Sequence, residues 1–142
     1  MKRVALMLTA IYFGITLSSF AADENSKERK LTVDYAIQTY VDALTEGKVK
    51  LLNEVLDADV KFSVAQGDKM ENYTREQILE QVRRAENVKQ NCTAEYTLVD
   101  QNLSQAIYKV VFDYQSFKKV NFVTVVQTKK GWKLTNVSVS YK

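Results

Sequence analysis

Histidine is absent from this 142-residue chain, and that absence excludes more than any other feature. Without imidazole there is no Ser-His-Asp or Cys-His nucleophilic site, no imidazole zinc ligand and no His switch near neutral pH. Cysteine occurs once, at Cys92, so no disulfide can close within the chain. A lone thiol of this kind is expected to be buried as a small hydrophobe. The four glycines compose no phosphate-cradling loop. Beyond the N-terminus no stretch approaches the roughly 20 apolar residues that a membrane span needs. The sequence therefore predicts no metal site and no cofactor.

The N-terminus carries the clearest signal. Lys2 and Arg3 precede an apolar run from Val4 to Leu17, broken only by Thr9, Gly14 and Thr16. Ser19 and Ala21 then supply the small residues of a cleavage site. This order predicts a secretory signal peptide over residues 1–21, cleaved after Ala21, and a periplasmic or secreted protein. No Cys follows the run, so lipid attachment is not expected, nor any membrane association after cleavage. Cleavage removes Lys2 and Arg3, which leaves 18 of the 20 basic residues against 17 acidic ones. A near-neutral mature chain gives no reason to expect a nucleic-acid partner. Its 121 remaining residues suffice for one core.

Residues 22–30 are polar and read as a disordered lead-in, with one domain over residues 31–142. A helix is expected from Thr32, with Val33, Ile37, Tyr40, Val41 and Leu44 as its apolar stripe and Gly47 at its C-terminal end. A second, shorter helix follows, with Val49, Leu52, Val55 and Leu56 on one face and Asp57–Asp59 ending it. Val60, Phe62 and Val64 alternate as a strand. Thr74 and Gln77 have capping-box spacing, and Tyr73 and Ile78 that of a hydrophobic staple, so a third helix is expected to run to about Asn87. Strands fill the rest. Ala106, Tyr108, Val110, Phe112 and Tyr114 point one way, Lys109 and Asp113 the other. In the last strand Trp132 and Leu134 share one parity, and Val137, Val139 and Tyr141 the opposite one, which predicts a β-bulge near Thr135 or Asn136.

Helices followed by long antiparallel strands make an α+β order. Three segments resemble the nuclear transport factor 2-like superfamily, whose curved sheet wraps a long helix into a cystatin-like cone: Ala36–Gly47, Val55–Phe62 and Gly131–Val137. The last is similar to the closing strand of exported bacterial members labelled "putative lumazine-binding". The resemblance implies three N-terminal helices in the concave face of a mostly antiparallel sheet. Against ketosteroid isomerase, a catalytic member, Tyr40 falls where that enzyme keeps an oxyanion-hole tyrosine. Val64 falls about where it keeps its Asp base, and Val123 or Thr124 about where a protonated Asp donates. One tyrosine without a base does not supply proton abstraction.

The candidate ligand-binding residues are Tyr40, Phe62, Tyr96, Tyr108, Phe112 and Phe122, an aromatic set that lines a pocket or fills a core. Asp57 and Asp59 read as turn residues. Lys118–Lys119 and Lys129–Lys130 read as hairpin charges that keep strand ends soluble. Three functions stay open: an exported binding module for a small apolar or aromatic ligand, a His-independent isomerase- or hydrolase-like enzyme using Tyr40 and an Asp, and a dimeric interaction module with a filled cone. A homodimer through the sheet is expected because Ile107, Val111, Val123 and Val125 are read on the face opposite Tyr108, Val110 and Phe122.

Overall fold

The computed structural model describes residues 26–142. The expected signal peptide lies outside them. Within the expected lead-in, residues 26–30 form an exposed helical turn. Helix α1, Val33–Thr45, starts where the sequence places it: the Thr32 hydroxyl accepts the Tyr35 amide at 3.1 Å. Ile37, Tyr40 and Val41 are buried along one stripe, with Val33 and Leu44 partly buried beside it. The helix ends at Gly47, whose φ of +67° suits glycine. The same residue is also a point of contact. A Cβ there would lie 2.6 Å from the Ala85 carbonyl oxygen and the Asn87 nitrogen. The Gly47 carbonyl accepts the Asn87 amide at 3.0 Å, so the end of α1 and the exit of the third helix are stitched backbone to backbone.

The expected second helix is a 3-10 turn, Val49–Leu51, followed by α2, Leu52–Val55. Strand β1, Leu56–Gln66, begins earlier than the alternation suggests. Leu56 pairs with Leu134, and the register then slips before Lys61 pairs with Asn136. Asp57–Asp59 therefore form an irregular stretch inside a strand. Their turn chemistry persists there, the Asp57 carboxylate accepting the Asp59 amide at 2.9 Å. After β2, Lys69–Tyr73, helix α3 spans Arg75–Arg83. Its capping box is complete: Thr74 accepts the Gln77 amide at 3.4 Å, and Gln77 accepts the Thr74 amide at 2.8 Å. It stops short of the expected Asn87, and the intervening residues turn instead.

Strands β3, Thr93–Gln101, β4, Gln105–Asp113, β5, Lys118–Thr128, and β6, Gly131–Tyr141, complete a six-stranded sheet in the order β2-β1-β6-β5-β4-β3. All pairings are antiparallel except β1 with β6. The sheet wraps α1, which touches β3, β5 and β6. The expected bulge is present: Thr124 faces Asn136 while Val125 faces Leu134, so Thr135 is the extra residue. It lets Trp132 and Leu134 on one side of it, and Val137 and Val139 on the other, all bury inward.

Strand β5 corrects the sequence reading. Val123 pairs with Tyr108 and Val125 with Ala106, and both valines are fully buried. Phe122 pairs with Lys109 and stands 44 % exposed on the outer face. The run Val120–Val126 is apolar at both parities, and its most polar member, Asn121, points inward with 0 % exposure. A rule that sends polar residues outward inverts such a strand. Cys92, expected to be buried, is only half-buried against the core.

Candidate ligand pocket

Tyr40 enters the cone from the inner face of α1, 2 % exposed. Burial pushes its pKa far above the ordinary phenol value, partly opposed by the hydrogen bond from Asn121, so the hydroxyl is neutral at any physiological pH. The Asn121 Nδ2 donates to the Tyr40 hydroxyl oxygen at 2.6 Å. That bond leaves the Tyr40 proton free to be donated onward. The Asn121 Oδ1 is buried with no hydrogen-bond partner. Two polar groups with unused capacity in an otherwise apolar core are an unusual arrangement.

Beside Tyr40 lies a cavity of about 230 Å³. Phe62 and Val64 of β1, Leu44 of α1 and Ile78 of α3 give it apolar walls. Gln66, Gln81, Lys119, Tyr73 and Tyr141 give it polar ones. Among the described residues no Asp or Glu lines it. Val64, at the position resembling the isomerase base, is on the wall, so that place presents an isopropyl group where proton abstraction needs a carboxylate. Of the other two resembling positions, Val123 is core and Thr124 is paired with Ile107 on the outer face.

The six aromatic candidates do not assemble in one place. Tyr40 and Phe62 line the cavity. Tyr108 and Phe112 are buried core, 5 % and 1 % exposed. Phe122 faces outward, a correction that follows from the β5 register. Tyr96 faces a second, larger hollow of about 600 Å³ on the other side of α1, where it shares the wall with Gln38, Asp34 and Asp42. Its hydroxyl donates to the Gln38 side-chain oxygen at 3.1 Å, and its ring meets Tyr108 edge-on at 6.0 Å.

Asp113 is aimed away from Tyr40, as the parity of β4 requires. Lys118 lies 3.0 Å from its carboxylate, and the Gln115 amide donates to it at 3.1 Å. Lys118 foremost, then that amide, holds its pKa below the usual carboxylate value. Asn121 and Lys119 are the site residues that sequence reasoning missed. The only signal was the position of Asn121 inside an otherwise apolar strand.

A family model described as "Putative lumazine-binding" matches residues 28–140. The chain belongs to this family. The fold is that of nuclear transport factor 2-like and cystatin-like solved structures. An NTF-2 like protein of unknown function from Silicibacter pomeroyi superposes with a TM-score of 0.63 at 16 % identity, over 86 % of this chain and 97 % of that one. A cystatin-like fold protein from Burkholderia xenovorans gives 0.61 at 17 % identity, over 82 % and 94 %. A protein described as a putative ketosteroid isomerase from Shewanella frigidimarina gives 0.55 at 16 % identity, over 75 % and 92 %. At these identities the likeness is one of fold. No curated protein matches the chain.

Proposed function

We propose that this protein is an exported, non-catalytic binding module that holds a small ring-containing ligand in the cavity beside Tyr40. The observation that carries the reading is Tyr40 on the cavity wall, a neutral O–H set in an apolar interior and held from behind by Asn121, whose own amide oxygen is unsatisfied among the described residues. Pockets that bind small molecules combine apolar walls with a few placed polar groups in this way. The volume of about 230 Å³ lies below the roughly 300 Å³ at which drug-sized pockets begin, which limits the ligand to one or two rings. The family description names lumazine, a flat bicyclic heteroaromatic, and makes it the first compound to try.

The test is a fluorescence titration of the mature protein with lumazine, beside native mass spectrometry for co-purifying compounds. Tyr40→Phe, compared well below its melting temperature, is expected to weaken binding about five- to tenfold, the worth of one hydrogen bond. Absence of both lumazine binding and any co-purifying molecule would refute the reading. Export predicts a mature N-terminus at Ala22, which N-terminal sequencing of protein from its host would establish. Assembly is proposed through the outer sheet face, where Phe122 is exposed and Ile107 and Val111 are half-buried beside it. A monomer mass at micromolar concentration in light scattering would remove that element alone.

A further inference from the structure

Lys118 and Lys119 are neighbours in sequence and opposites in space. Lys118 faces outward and is neutralised by Asp113 at 3.0 Å. Lys119 faces inward, between Phe112 on β4 and Tyr141 on β6 in the register of the sheet. It lines the cavity beside Tyr40, and its Nζ lies 5.6 Å from the centroid of the Phe112 ring. No carboxylate pairs with it among the described residues, and none lines the cavity. The aromatic ring face stabilises an ammonium but does not neutralise it. A Cys92 thiol is near enough to be felt. The Tyr73 hydroxyl donates a hydrogen bond to the Glu71 carboxylate, so Tyr73 is occupied. The remaining polar residues of the lining, Lys119, Tyr40, Tyr141, Gln66 and Gln81, can all donate hydrogen bonds, and none of them carries a negative charge.

We infer that the cavity selects an anionic ligand, a small organic carboxylate whose charge pairs with Lys119 while its ring occupies the wall formed by Phe62 and Val64. A half-buried cation without a counter-ion is costly to maintain, because desolvation disfavours its charged form. Burial lowers the Lys119 pKa accordingly. An incoming carboxylate supplies the missing charge and accepts the free donors, whereas a cation of the same shape meets an uncompensated ammonium. This inference rests on the binding reading above and adds charge selection to it.

The experiment compares sodium benzoate with benzamide, two probes of one shape and different charge, by titration into ¹⁵N-labelled mature protein. Resonances of Lys119, Gln66 and Gln81 report occupancy. Benzoate is expected to bind at least tenfold more tightly than benzamide. Lys119→Met, which keeps the length and removes the charge, is expected to abolish that preference, bringing the two affinities within about twofold of each other. Equal affinity of the two probes for the unaltered protein overturns charge selection and leaves the pocket reading intact. So does lumazine binding with neither probe bound. Failure of lumazine, benzoate and benzamide alike to move these resonances overturns both. The comparison within the unaltered protein decides the matter even where Lys119→Met fails to fold.

Discussion

The Tyr40–Asn121 hydrogen bond joins α1 to β5 across the interior, and a double-mutant cycle measures what it contributes. Tyr40→Phe leaves Asn121, fully buried, with neither amide nor carbonyl partnered. The lost bond and the stranded amide together should cost about 2–3 kcal/mol. Asn121→Val suits the strand and removes the orphaned Oδ1, but strands the Tyr40 hydroxyl at about 1–2 kcal/mol. The double substitution replaces both polar groups with apolar contact, and should fall within about 1 kcal/mol of the parent because no polar group remains unpaired. The coupling is thus at least about 2 kcal/mol, well above the roughly 0.5 kcal/mol scatter of independent sites. Urea unfolding followed by fluorescence suits the measurement, since Trp132 is the only tryptophan and is 9 % exposed. Should the double mutant lose the sum of the two single losses, the two groups do not act as a pair and the reasoning fails.

Gly47→Ala is expected to cost about 3 kcal/mol or more in the same assay, from a positive φ and a Cβ within 2.7 Å of three backbone atoms. A loss below about 1 kcal/mol would mean the α1–α3 junction yields easily. Thr74→Ala opens the capping box and should cost about 1 kcal/mol, read from the urea midpoint. Val123→Asp buries an unpaired charge and should prevent folding, while Phe122→Asp, on the outer face, should leave far-UV circular dichroism unchanged; equal damage from both would contradict the β5 register. Asp113 has a folded pKa below its unfolded value. Its contribution is therefore complete above the unfolded pKa and is lost as pH falls through the folded one. Asp113→Asn should flatten the acid limb of the stability–pH curve, and an unchanged limb would count against the Lys118 pairing.

The fold was legible where one rule acted alone. Thr74 and Gln77 specify a helix start by their own side chains, and the parity change between Leu134 and Val137 demands an extra residue between them. The pocket was legible in part, because Tyr40 and Phe62 sit on elements whose apolar stripes are unambiguous. It failed at β5 for a definite reason. Periodicity infers direction from contrast, and a strand apolar on both faces offers contrast only at Asn121, which is inward because it bonds Tyr40, 81 residues away. Lys119 was read with Lys118 as a hairpin charge, whereas it lies within β5 and lines the cavity. A polar residue placed for a specific partner carries no local sign of it. The early start of β1 was hidden likewise, since Leu56 pairs with Leu134 from the far end of the chain.

The parallel pairing of β1 with β6 has a consequence for the order in which the molecule can be made. Strand β6 lies between β1 and β5, so residues Gly131–Tyr141, far in sequence from β1, occupy the middle of the sheet. Until they leave the ribosome, β1 and β2 have no neighbour but each other, and an isolated two-stranded hairpin is marginal in water. Completion of the sheet therefore waits for the synthesis of β6, and long-range closure of this kind is slow. A chain threaded through a translocation channel, as proposed above, lacks the strand that joins the two parts of its sheet until β6 is made. Removal of the last ten residues should leave a protein that is never native, however intact its helices.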